Sequence, residues 1–134
     1  MAALTATATA WAPRVLSILR IVTGLLFLQH GTMKYFNFPA NDMFTDMPVL
    51  SMFGIDGLLE LVGGVLIIIG LFTRPVAFVL SGMMAVAYFK FHLSGGFFPA
   101  LNQGEPAIMY CFIYLYLACA GGGAWSVDAS RGKA

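Results

Sequence analysis

Apolar residues along this chain gather into four long runs, at 15–34, 55–72, 76–93 and 107–124, separated by stretches richer in Pro, Asn, Asp and Gly. Each run approaches the ~20 residues that an α-helix needs to cross a hydrocarbon core. The pattern predicts helices at about 14–35, 55–73, 75–93 and 105–124, with a short disordered tail over 1–13 and a C-terminal tail over 129–134. The expected fold is all-α, an integral membrane four-helix bundle forming one domain over 14–128. A weak amphipathic collar around Trp11 is the other reading of the first tail.

Within the runs, small and polar residues keep to one face. On the first helix Arg20, Gly24, Phe27, Gly31 and Lys34 recur at three- and four-residue steps, with Thr23 and His30 beside them. Such a face meets other helices rather than lipid. Arg20 has two readings, as part of that face or as a side chain snorkelling to headgroups about 9 Å of rise from Arg14. The second helix aligns Asp56, Glu60, Gly63, Ile67 and Gly70. A carboxylate such as Glu60 inside a membrane helix is costly and is retained for a partner or a task.

The connections follow from turn chemistry. Thr73-Arg74-Pro75 predicts a tight turn, so that the second and third helices form an antiparallel hairpin with Pro75 in the first turn of the third. Pro106, with Glu105 just ahead of it, opens the fourth helix, whose stripe is Tyr110, Tyr114 and Leu117. The first outer loop is aromatic, and a short interfacial helix bounded by Pro39 and Pro48 is expected there as a cap or an anchor.

Composition narrows the class. The chain has 134 residues, 60% hydrophobic and 10% charged, with mean hydropathy +0.86. About a quarter charged is usual for a soluble domain, so this chain could not cover a water-exposed surface. A net charge of +1 without a basic run gives no nucleic-acid signal. The first residues lack the positive n-region of a signal peptide, so an uncleaved first helix is expected. With both termini on one side, that side collects Arg14, Arg20, Arg74, Arg131 and Lys133, while the other holds Lys34 and Lys90 among the acidic residues. The positive-inside rule then puts both termini in the cytoplasm and the long loops outside, in the periplasm if this is the inner membrane of a Gram-negative bacterium.

Helix rise sorts the candidate chemistry by depth. His30 lies about 24 Å from Arg14, Glu60 about 21 Å from Arg74, and Lys90 about 24 Å from Arg74. Lys34 and His92 come a turn higher, and Glu105 closes the level from the fourth helix. His30, Lys34, Glu60, Lys90, His92 and Glu105 are thus expected at one polar level toward the outer leaflet. Near charge balance makes such a layer tolerable, whether it only pins helix register or holds a ligand. His30 and Glu60 are the deepest and are the candidate catalytic pair, with Arg20, Lys34, His92, Asn102 and Glu105 as candidate binding residues. No ligand spacing supports a metal. Cys111 and Cys119 are about 12 Å apart in rise, too far for a disulfide in one helix.

The blocks Arg20…Gly24-Leu-Leu-Phe-Leu-Gln-His30-Gly31…Lys34 and Glu60-Leu-Val-Gly63-Gly64…Gly70-Leu-Phe-Thr-Arg74 resemble the DoxX family of small four-helix membrane proteins. The segments Gly95…Phe98-Pro99…Asn102…Gly104-Glu105 and Gly121-Gly-Gly…Trp125-Ser126…Asp128 resemble its later half more loosely. The resemblance implies a membrane subunit or anchor of an oxidoreductase system, with a quinone as candidate cofactor and none intrinsic to the chain. Its implied partners are the lipid bilayer and either a partner oxidoreductase or further copies of the chain. A non-enzymatic assembly protein docking through its glycine faces and the Arg74 turn, and a small-solute or proton-coupled transporter, are the competing expectations.

Overall fold

The computed structural model describes residues 1–44 and 46–133. Among these residues the chain is all-helical, with no strand. Its main helices are α1 (Ala2–Phe36), α2 (Met52–Ile69), α3 (Thr73–Ala87) and α5 (Glu105–Ala120). Two single-turn helices, α4 (Pro99–Asn102) and α6 (Val127–Ser130), lie in the second outer loop and after α5. α1, α2 and the continuous segment Thr73–Gly95 are long and apolar enough to cross a membrane, whereas α5 is apolar but has 16 residues.

Several boundaries differ from the sequence expectation. The first thirteen residues are helical from Ala2 rather than disordered. Alanine has the highest helix propensity, and Thr5, Thr7 and Thr9 donate their hydroxyls to carbonyls four residues back. The expected 129–134 tail folds into α6 and a following turn, with the Lys133 N–H on the Asp128 carbonyl at 2.8 Å; Ala134 lies outside the described residues. α2 stops at Ile69 because Gly70 takes φ 69°, a left-handed cap that glycine adopts without steric cost. α5 stops at Ala120, short of the expected 124, where Gly121 turns the chain back with φ 85°. Between α1 and α2, among the described residues, only the turn Asp42–Phe44 is helical; the expected Pro39–Pro48 interfacial helix includes Thr45, which lies outside the described residues.

Going round the bundle the order is α1, α2, α3, α5, with close packing of α1 on α2 and of α3 on α5. Glycine sets the first of these seams. A Cβ on Gly31 would fall 2.8 Å from the Leu61 backbone nitrogen, and one on Gly64 would fall 3.1 Å from the Leu28 Cα. Inside, Phe27 meets Tyr110 and Tyr114 edge-on at 5.3 and 5.1 Å, above Ile67, Leu80 and Leu117. The outer faces carry exposed Leu, Val, Ile and Phe, as lipid contact requires.

The end of the bundle bearing the chain termini is closed by a charged staple. Arg20 is 0% exposed, so it packs rather than snorkels. Its Nε donates to the Gly122 carbonyl at 2.8 Å, Nη2 to Trp125 at 2.5 Å, and Nη1 to Ile67 and Ile68. The guanidinium thus satisfies carbonyls at the C-terminal end of α2 and in the glycine turn, where the helix dipole favours a cation. Asp128 does the reverse at the start of α3, accepting the N–H groups of Phe72 and Thr73 at 2.9 and 2.8 Å. Burial alone would push the Asp128 carboxyl up, but those N–H groups and nearby Arg131 outweigh it and hold it below its usual value.

Candidate functional site

At the opposite end, the last turn of α1 delivers Lys34 to α2. The Lys34 ammonium donates to Glu60 Oε1 at 2.9 Å and lies 2.9 Å from Oε2, in a pair almost wholly buried. Gly57, one turn further out on α2, makes this reach available. Its missing Cβ would stand 3.0 Å from Lys34 Cδ, so the lysine stem crosses α2 where only a hydrogen fits. The Tyr35 hydroxyl donates to the Gly54 carbonyl at 2.7 Å and locks the same turn. Half-buried Asp56 lies within electrostatic reach of Lys34, and the ammonium stands 5.8 Å from the Phe44 ring centroid.

Above the pair is a cavity of about 450 Å³, bounded by Lys34, Tyr35, Asn37, Asn41, Phe44 and Asp46 among others. That volume is in the range of small-molecule sites, as are those of two depressions at the stapled end, of about 490 Å³ beside Ile69 and Trp125 and about 400 Å³ beside Leu16 and Tyr116. Lys34 belongs both to this wall and to the buried pair. The cavity is therefore coupled to Glu60 through one side chain.

The sequence-predicted level divides into separate parts. His30 makes no hydrogen bond or ion pair to Glu60 among the described residues; its ring stands edge-on to Tyr110 at 6.5 Å. The expectation that both an imidazole and an amine meet Glu60 holds for the amine alone. Lys34 spans the gap because of its length, while the shorter His30 faces α5. His92 and Asn102 instead knit the second outer loop. His92 Nδ1 lies 3.2 Å from the Asn102 carbonyl, and the Asn102 side chain holds Gly96 and Gly104. Lys90 and Glu105 are exposed, with no side-chain hydrogen bond or ion pair among the described residues.

Lys90 and His92 sit on a π-helical turn over Tyr88–His92, where the helix departs from its 3.6-residue phase. Arg20 lies about 21 Å of rise from Lys34, at the stapled end, and takes no part in the site. Sequence reasoning passed over Tyr114 as a stripe residue. It is fully buried and stacks on Tyr110 at 6.0 Å. Its signal was a phenol amid apolar core positions. Among the described residues no group of three or more His, Cys, Asp or Glu side chains gathers as a metal site would require.

The fold and this site define a polytopic α-helical membrane protein with an ion pair buried at one end of the bundle. The sequence profile of the DoxX family matches residues 15–93, which include Arg20, His30, Lys34 and Glu60. A Haemophilus influenzae protein described as uncharacterized is 42% identical over 124 residues, covering 87% of this chain and 90% of its own length. The chain belongs to the DoxX family. No solved structure matches it.

Proposed function

We propose that this chain is an inner-membrane subunit or anchor of an oxidoreductase system, holding a quinone in the cavity beside the Lys34–Glu60 pair. In this reading α5 is a fourth span, continued by the glycine turn, and both termini are cytoplasmic. The buried pair opening through Lys34 onto a 450 Å³ cavity carries the proposal.

The residues fit such a ligand. Lys34 offers an ammonium to a carbonyl oxygen, Glu60 offers a carboxylate to a proton, and Phe44 offers an aromatic face. A bound quinone supplies two-electron, two-proton chemistry. The chain's own groups bind, orient and hold a proton at Glu60, and a partner enzyme brings the electrons. A docking protein would have to use the exposed Arg74 turn, because Gly63 and Gly64 are covered within the chain by Leu80 and Leu28.

The test is quinone binding by protein purified into lipid nanodiscs. Glu60→Gln and Lys34→Ala are expected to lose the quinone, while Lys133→Ala retains it. Wild-type occupancy in both site variants would overturn the reading.

A further inference from the structure

The stapled end of the bundle exposes Arg14, Arg74, Arg131 and Lys133, and none of them pairs with a carboxylate among the described residues. Asp128, the one acidic side chain at this end among those residues, is buried and spent on the N–H groups of Phe72 and Thr73. The three arginines are nevertheless held. Arg14 donates through Nη1 to the Ala10 carbonyl at 3.0 Å, and its guanidinium stands 5.4 Å from the Trp11 ring centroid. The Arg131 guanidinium stands 5.7 Å from the Phe72 ring centroid, and Arg74 donates through Nη1 to the Ala118 and Cys119 carbonyls in the last turn of α5. Rings and carbonyls orient a guanidinium without cancelling its charge, and each fork keeps further N–H donors free.

Backbone bonds bring these groups to one level. The Ala124 N–H donates to the Pro13 carbonyl at 3.1 Å, tying the neighbour of Arg14 to the glycine turn. The Asp128 N–H donates to the Gly70 carbonyl at 2.9 Å, tying α6 and the following Arg131 to the turn between α2 and α3. Trp11 and Trp125 are both exposed here. Exposed tryptophans at the ends of membrane helices sit among the headgroups, which brings the adjoining guanidiniums to the depth of the phosphates. The depression of about 400 Å³ opens at the same level, with Ala12 and Leu16 of α1 on one wall and Tyr116 and Ala120 of α5 on the other.

We propose that the stapled end is a docking surface for anionic phospholipid, with phosphate on the exposed cations and an acyl chain in the α1–α5 groove. A soluble anion would use the cations and leave the groove empty, and so would an acidic protein segment. An anionic lipid matches both. Arginine suits the head, because its planar fork meets two phosphate oxygens at once. A zwitterionic head brings a cation of its own, so the surface selects lipids of net negative charge.

Spin-labelled lipids in proteoliposomes test this, through the motionally restricted fractions of phosphatidylglycerol and phosphatidylcholine at equal label. The wild type should favour phosphatidylglycerol about fivefold or more, and added salt should lower the preference. Arg14→Gln, Arg74→Gln and Arg131→Gln should each lower it, and the triple variant should abolish it. Arg131→Lys should retain most of it, and Lys90→Gln, which removes an exposed cation at the other end, should leave it unchanged. The single variants keep the test readable if the triple one fails to fold. Ala120→Phe fills the groove while every cation stays, and should cut the amount of restricted phosphatidylglycerol. Equal restriction of the two lipids by the wild type would overturn the proposal and leave the cations to an acidic protein. Displacement of the lipid by glycerol phosphate would overturn it in favour of a soluble phosphate ligand.

Discussion

At the scale of single residues, the buried pair separates a structural role from a functional one. Removing Lys34 alone leaves Glu60 as an uncompensated buried charge, which costs about 3–5 kcal/mol, whereas replacing both partners by apolar side chains is often neutral. Lys34→Met is therefore expected to destabilise strongly in detergent melting, and Lys34→Met with Glu60→Met to recover most of the loss. Quinone binding should not return in the double variant. If it does, the pair serves packing alone. The other end of the molecule makes a pH prediction through Asp128. Its folded-state carboxyl lies below the unfolded value of about 3.9, so its contribution is complete above pH ~4 and is lost as the pH falls through the folded value. Trp125 fluorescence, read in a Trp11→Phe background, should stay constant from neutral pH to about pH 4 and change below it. Asp128→Ala should show the altered signal already at neutral pH.

At the scale of helices, glycine contacts determine which seams tolerate change. At Gly64 an added Cβ meets the backbone of Leu28 at 3.1 Å, whereas at Gly82 on α3 it meets nothing within 4 Å. Gly64→Ala should therefore cost more than Gly82→Ala, with overpacking of about 1–3 kcal/mol expected for the former. Equal melting points for the two variants would contradict the α1–α2 seam described above. The seam glycine Gly64 was legible in the sequence because it lies a turn from Glu60, and the helices were legible as apolar runs. The Lys34–Glu60 pair also followed, since both residues lie on regular helix where rise gives depth. Lys90 and His92 did not join it: they lie on a π turn, which has no clear mark in YFKFH and shifts the helical phase. The fate of Arg20 was equally hidden. Its acceptors are carbonyls released by Gly70 and the Gly121 turn, and a glycine triplet reads as readily as close packing as it does as a chain reversal.

For the whole molecule, the two ends differ in kind, and that difference predicts how it sits in the bilayer. The stapled end presents exposed Arg14, Arg74, Arg131 and Lys133, while its one carboxylate, Asp128, is consumed by backbone N–H groups. The other end carries the cavity, the exposed acidic residues Asp42, Asp46 and Glu105, and one exposed lysine, Lys90. Basic residues near span ends set orientation, so we predict the stapled end in the cytoplasm and the cavity facing outward. α1, at 35 residues, is about 52 Å long against a hydrocarbon core of ~30 Å, so its exposed Ala2–Ala12 portion is expected to extend past the membrane at the stapled end. An impermeant thiol reagent decides the matter in a Cys111→Ser, Cys119→Ser background. Ser94→Cys in the second outer loop should react in intact spheroplasts, and Ser130→Cys in α6 only after the membrane is opened. Reaction of Ser130→Cys from outside would invert the molecule. It would also place the Lys34–Glu60 cavity on the cytoplasmic face, where a quinone-linked partner would have to be sought instead.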